Sequence, residues 1–380
     1  MNLNTGGWAS PLLRLVARLR NDGLNSTTPV TEINGGTISA TNAAIALVAK
    51  GTGATLAQVP DATIAGGNKR GTLATDWQKI RTASTMVASG SASTIGGGQL
   101  NTASGGNSVV SGGDTNTASG VVSSICGGST NTASGFYSFV GGGDTNTASS
   151  SNSFVGGGAS NTAQTSTHAT VCGGNNNTAS GSSAFVGGGT SNSCSGISSV
   201  ICGGTDNIAN GSRSTIVGGI RGTTRSIDGY TVFPAHNGAI NATNNGISQA
   251  ALLVLARETT DATATVLTSN TSAASATNQV TLPNNSAYSF SGEVIAGVTG
   301  AGNSARWTID GAIKRGANAA STVMVGTPTV VMTHFDAGAA TWVVAVTANA
   351  TLGCITVTVT GAAATTIRWV AKIETTEMTY

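Results

Sequence analysis

The 380-residue sequence predicts an all-β protein. A parallel β-solenoid of 15-residue coils follows a short N-terminal helix and precedes a C-terminal antiparallel β-sandwich of jelly-roll kind. Three observations predict this. Gly-Gly pairs recur at 97/98, 112/113, 127/128, 142/143, 157/158, 173/174, 188/189, 203/204 and 218/219; seven of the eight steps are 15 residues and one is 16. Asparagines keep the same beat at 101, 116, 131, 146, 161, 177, 192 and 207. From about Ser248 the rhythm changes to longer runs that alternate apolar and polar residues, the period of half-buried strands.

Four regions follow: an N-terminal docking region over 1–87, a repeat shaft over 88–220, a linker over 221–247 and the sandwich over 248–380. In the first, "SPLLRLVARLRNDG" reads as a helix over 10–22. Ser10 is the N-cap, Pro11 the first helical residue and Gly23 the stop. Leu12, Leu15, Val16 and Leu19 form one apolar stripe, with Arg14 and Arg18 opposite. A helix this short needs a partner for its stripe, either its own domain or a docking or trimer contact.

A 15-residue unit is too short for a helix pair or a propeller blade, but it can hold two short strands and two turns. The β-branched residue before each glycine phrase (Ile95, Val110, Ile125, Val140, Val155, Val171, Val186, Ile201, Ile216) and the Ser or Ala two positions earlier alternate onto one face, taken as the inside. The glycines serve a tight corner. The asparagines sit at the opposite corner or form a ladder; both readings stay open. The extra residue of the 16-residue step falls in "AQTSTHAT", near Thr167 and His168.

Between the inward positions lies an outward column that includes Val109, Phe139, Phe154, Phe185 and Val200. Bare aromatic residues on so thin a coil suit a monomer in water poorly, and these five are the candidate trimer-interface residues of the shaft. Cys126, Cys172 and Cys202 share a neighbouring column. Two or three coils at ~4.8 Å separate them, too far for a disulfide within one chain. They fit either as small free thiols or as groups facing a threefold axis.

Composition excludes several classes of function. Only 8% of residues are charged and the net charge is +2, so nucleic acid binding by a basic face has no support. The opening residues, interrupted by Arg14, Arg18 and Arg20, do not read as a secretory signal. No run is long and apolar enough for a membrane helix. The expectation is a protein made in a cytoplasm without membrane insertion. His168, His236 and His334 lack metal-ligand spacing, and no cofactor motif occurs. Asp114 and Asp144 share a column ~10 Å apart, near the upper limit for an inverting glycosidase pair, and read as solvated turn carboxylates. No catalytic residue, cofactor or metal is assigned, and the expectation is not an enzyme.

The unit x-x-Asn-Thr-Ala-Ser-Gly-x-x-Ser-x-Val-Gly-Gly-Gly resembles the head repeats of YadA-like trimeric autotransporter adhesins over residues 88–219. That resemblance implies a trimeric parallel β-roll. The lead-in "GGNKRGTLATDWQKIRTASTMVASG" and the C-terminal "AIKRGANAASTVMVG" and "TIRWVAKIETTEMTY" look like bacteriophage tail fibres. This second resemblance implies a homotrimeric virion fibre in the phage tail. Its N-terminus would dock to other tail or capsid proteins, and its C-terminal domain would bind a host surface glycan or protein. Thr299, Asn303, Asp336 and Thr341, in loops at the end of the sandwich, are the receptor-contact candidates by position. A capsid head fibre or decoration protein and a polysaccharide-degrading tailspike are the alternatives.

Overall fold

The computed structural model describes residues 19–22, 30–33, 55–235, 244–300 and 302–380. The chain divides into two compact units, Met1–Tyr137 and Ser138–Tyr380. Two single-turn 3-10 helices are the only helix among the described residues.

In the first unit, Leu19–Asp22 pairs antiparallel with Val30–Ile33. The expected helix therefore does not reach residue 22, and Leu19 begins a strand. Asn21 and Asp22 are weak helix formers, whereas Val30, Thr31 and Ile33 offer a β-branched partner strand. Leu12, Leu15 and Val16 lie outside the described residues.

The coils begin earlier than the repeat does. Thr55–Leu56, Thr75–Asp76, Thr94–Ile95, Val109–Val110 and Ser124–Ile125 form one parallel ladder. Thr102–Ala103, Thr117–Ala118 and Thr132–Ala133 form the second. Each strand is two residues long, one outward and one inward. Ile95, Val110 and Ile125 from one ladder face Ala103, Ala118 and Ala133 from the other, and all are fully buried. Alanine on one side and a β-branched residue on the other suit a narrow, closely packed core. Coils touch so closely at Gly105 that an added Cβ would collide with the Gly120 carbonyl.

The asparagines are a buried ladder, which decides between the two open readings. Asn116 Nδ2 donates to the carbonyls of Gly112 at 3.1 Å and Gly128 at 2.9 Å, while its Oδ1 accepts from the Asn131 amide at 3.0 Å. Each amide thus ties its own coil's glycine corner to the next coil. Gln78 starts the ladder: its Oε1 accepts from the Asn101 amide at 2.8 Å. Below it the pattern changes character. Asp76, in register with Ile95, is a fully buried carboxylate held by Arg70 Nε at 2.8 Å and Arg81 Nη2 at 3.3 Å. Burial lowers the Arg70 pKa, and the Asp76 charge opposes that shift.

The second unit repeats the coil. Phe139–Val140, Phe154–Val155, Thr170–Val171, Phe185–Val186, Val200–Ile201 and Thr215–Ile216 run in one parallel ladder. Thr147–Ala148, Thr162–Ala163, Thr178–Ala179, Ser193–Cys194 and Ile208–Ala209 form the other. The extra residue between 163 and 169 is absorbed at a corner, where Thr165 adds a left-handed φ of 72°. Strand register on both sides is kept: Thr162 pairs with Thr178 and Phe154 with Thr170.

Within the stretch expected as a linker, Thr231–Pro234 carries the ladder onward. It pairs parallel with Thr215–Ile216 and antiparallel with Ser248–Thr259. The C-terminal sheet then runs Ser248–Thr259, Ile367–Thr379, Ser286–Val298, Ser304–Arg315 and Thr329–Phe335, all antiparallel. A second antiparallel sheet joins Val343–Asn349, Cys354–Thr360, Thr265–Val266 and Val280–Thr281. Alternation buries Leu253, Leu255, Val294, Trp307, Trp369 and Ile373 from the first sheet and Val344, Val346, Ile355, Val357 and Val359 from the second. Trp369 is the centre: its ring lies 5.6 Å from Trp307 and 5.7 Å from Trp342, and its Nε1 donates to Thr259 Oγ1 at 3.0 Å.

One inward position is charged. Glu377 is buried and accepts from Arg225, Tyr230, Gln249 (2.8 Å) and Thr375 (2.9 Å). Arg225 and Tyr230 come from the turns after the last coil, so the network joins that coil to the sheet.

Candidate functional site

One face of the large C-terminal sheet packs on the core and the other is open. Register brings its residues into rows, of which one reads Ala256, Val370, Ile295, Arg306 and His334 across five strands. At the end of this row lies a cleft of about 660 Å³ lined by Ile295, Ser304, Ala305, Arg306, Thr333, His334, Phe335 and Asp336.

Local chemistry shapes the cleft. The edge strand Thr329–Phe335 bulges opposite Arg306 and Trp307, and Thr333 Oγ1 donates to the Arg306 carbonyl at 3.2 Å. A bulge re-aims the side chains around it. Asp336 Oδ2 accepts from the Ser304 amide at 2.8 Å and hydroxyl at 3.1 Å, clamping two strand ends together. Ile295 and Phe335 remain 57% and 53% exposed, large apolar groups at the polar rim. Arg306 Nη2 bonds Glu293 Oε1 at 2.5 Å, and that bond with the Arg306 charge holds the Glu293 carboxyl below its usual value. The arrangement offers two apolar surfaces, the guanidinium, an imidazole and carboxylates, a set suited to binding a polar ligand with an apolar face.

Of the receptor-contact candidates, Asn303 and Asp336 come together at this end. The Asn303 carbonyl accepts from the Val298 amide at 2.9 Å. Thr299 is exposed and its amide donates to the Thr366 carbonyl at 3.1 Å; Thr341 is exposed after the Ala337–Ala339 turn. Neither lines the cleft. Sequence reading missed Ile295, Arg306, His334 and Phe335. The available signal was one large apolar residue, Ile295, at an outward strand position; Phe335 shares the register of the buried Ala305 and is exposed only because its strand lies at the end of the row.

On the coils, Val109 in the first unit and Phe139, Phe185 and Val200 in the second are half-buried at outward positions, and Phe154 is 39% exposed. The Phe139 and Phe154 rings stack at 5.3 Å with planes 6° apart. Phe139, Phe154 and Phe185 are each followed two residues later by glycine. A Cβ at Gly141, Gly156 or Gly187 would lie 3.5, 3.3 or 3.5 Å from the Phe Cε1. Where the outward residue is smaller, as at Ser124, Thr170 and Val200, the same place carries Cys126, Cys172 or Cys202. These three thiols are free and exposed; Cys194 and Cys354 are buried. Asp114 accepts a local bond from Thr115 Oγ1 at 2.8 Å. Among the described residues no group of three His, Cys, Asp or Glu side chains could hold a metal ion, and no helix is long and apolar enough to cross a membrane.

No protein-family model matches the chain, and no curated protein matches it either. Among solved structures, it is similar to the tailspike protein of Acinetobacter phage vB_ApiP_P1, with a TM-score of 0.22 and 9% identity over 86% of this chain and 76% of that one. It is also similar to the tailspike of Acinetobacter baumannii phage AM24, with a TM-score of 0.20 and 8% identity over 81% of this chain and 67% of that one. At these values the likeness carries no functional argument.

Proposed function

We propose that the chain is a homotrimeric fibre of a phage virion. Its N-terminal region docks to tail or capsid proteins, its coils act as a spacer, and its C-terminal domain binds a host surface glycan or protein without cleaving it. The observation that carries this reading is the cleft at the sheet edge, where Ile295 and Phe335 stand exposed beside Arg306, His334 and Asp336. Large apolar side chains ringed by polar groups mark a binding surface. The outward Phe column supports the trimer.

Cell adsorption tests it. Phe335→Ala changes an exposed side chain and Arg306→Ala a half-buried one on the same edge, so unfolding should stay within about 1 kcal/mol of the native chain. Adsorption of particles carrying either variant should fall about tenfold, the effect of 1.4 kcal/mol. Unchanged adsorption with both variants would refute the site. New reducing ends from host envelope glycans incubated with the pure protein would refute binding without cleavage.

A further inference from the structure

A second cleft lies on the same open face, nearer the coils. It is a half-open hollow of about 350 Å³ lined by Phe233, Ala250, Leu252, Ser289, Ser291 and Glu374, with Ala251, Thr375 and Thr376. Register explains the hollow. Ala250, Thr376 and Ser289 form one cross-strand row, and Leu252, Glu374 and Ser291 the next. The short side chains of Ala250, Ser289 and Ser291 keep the floor low. Phe233, opposite Ala250 on the neighbouring strand, forms one wall and Glu374 the other.

We infer that this cleft is a binding subsite for a neutral saccharide. Phe233 is 47% exposed and lines the hollow; an aromatic ring offers a surface that packs against the C–H side of a sugar ring. Ser289, Ser291 and Thr376 are exposed hydroxyls on adjacent strands, each able to donate and accept. Glu374 Oε1 is paired with Lys372 Nζ at 3.0 Å, which leaves Oε2 to accept from ligand hydroxyls. A ligand that is apolar on one face and rich in hydroxyls along its rim satisfies all of these groups together. A phosphate-bearing ligand does not: among the described residues no cation lines the hollow, and Lys372 is paired with Glu374. The volume lies within the range of small-molecule sites, roughly 300–1,000 Å³. The subsite is separate from the edge cleft and does not rest on the function proposed for it.

Saturation-transfer NMR on the full chain tests the subsite, with maltotriose, cellotriose, chitotriose and lactose at millimolar concentration as probes. At least one should receive saturation at its ring C–H protons. The signal should weaken about tenfold in Phe233→Ala and vanish in Ser291→Phe, which fills the floor from an exposed strand position. It should persist in Phe335→Ala, which alters only the edge cleft. No transfer to any of the four sugars overturns the inference, as does transfer that survives Ser291→Phe or is lost in Phe335→Ala.

Discussion

Asn177 Oδ1 accepts two hydrogen bonds from Asn192, from its backbone amide at 3.0 Å and from its Nδ2 at 3.0 Å. Asn177 Nδ2 in turn donates to Asn161 Oδ1 at 3.1 Å and to the Gly173 and Gly189 carbonyls, each at 2.9 Å. One buried amide therefore satisfies polar groups of three successive coils. Asn177→Ala would strand several of them out of reach of water, at about 1–3 kcal/mol for each group that finds no substitute. Chemical unfolding should show a loss of about 3–5 kcal/mol, whereas Thr178→Ala, one residue on and outward, should lose less than about 1 kcal/mol. Equal effects at both positions would contradict the ladder's structural role.

This ladder shows where sequence reading succeeds. A fixed period repeats each position's environment, so alternation alone identified Val155 and Val171 as inward and Phe154 as outward. It could not decide between a corner and a ladder for Asn177, because that depends on which carbonyls stand above and below. The glycine corner was legible, and Gly113 (φ 89°) and Gly128 (φ 86°) occupy it; the non-glycine corners were hidden. Val122 (φ 58°) and Tyr137 (φ 55°) adopt left-handed conformations that no local residue preference announces; stacking on neighbouring coils imposes them. The coils at Thr55–Leu56 and Thr75–Asp76 were missed because their steps, 20 and 19 residues, break the beat. At the edge cleft, alternation could place Ile295 outward. Only long-range register sets Arg306 between it and His334.

Val122 gives a second prediction. A β-branched residue in the left-handed region carries a penalty of about 1–2 kcal/mol relative to a residue suited to it. Asn107 and Asn152 occupy the same place in their coils with φ of 56° in each. Val122 is 36% exposed, so little core packing is lost on replacement. Val122→Asn should raise stability by about 0.5–1 kcal/mol, read from the unfolding midpoint. A lower midpoint would show that Val122 contributes packing that outweighs its backbone strain.

The buried Asp76 group makes a third. Asp76 joins Arg70 and Arg81 with all three side chains at 1% exposure or less. Removing the carboxylate leaves two unpaired guanidinium groups in the interior, so Asp76→Ala should destabilise by about 3–5 kcal/mol. Replacing the trio together is a different matter, because the desolvation of all three charges is relieved at once. Asp76→Ile with Arg70→Met and Arg81→Met should be close to neutral or stabilising. Isothermal denaturant titration of the single and triple variants distinguishes the two cases.

The outward Phe column tests assembly. If three chains bury it together, Phe154→Asp places a carboxylate in an apolar contact, where an unpaired charge is disfavoured by several kcal/mol. Sedimentation of the wild-type chain should give three times the chain mass, and the variant should shift to a single chain while keeping its β-rich spectrum. A wild-type chain that sediments as a monomer would remove the trimer from the proposal.

Alkaline pH should unfasten the last coil from the sheet. Burial, reinforced by the Glu377 charge, pushes the phenols of Tyr230 and Tyr288 well above their ordinary value of 10.0, although the Arg225 charge opposes the shift. Folding thus favours their neutral forms. Below pH 10 this stabilisation is fully present; above it the unfolded chain loses phenol protons that the folded chain retains, and stability falls. Two such groups give a slope of up to about 2.7 kcal/mol per pH unit. Cys354, pushed up to about 11 by burial from 9.0, adds a loss of the same sign that sets in nearer pH 9. Tyr288→Phe keeps the ring beneath Arg225, whose guanidinium carbon lies 5.5 Å from its centroid, and should halve the slope contributed by the two phenols. Thermal unfolding followed from pH 8 to 11 measures it, with Cys354→Ala as the background that removes the thiol. An unfolding midpoint that stays level across that range would show that these phenols ionise as readily in the folded chain as in the unfolded one.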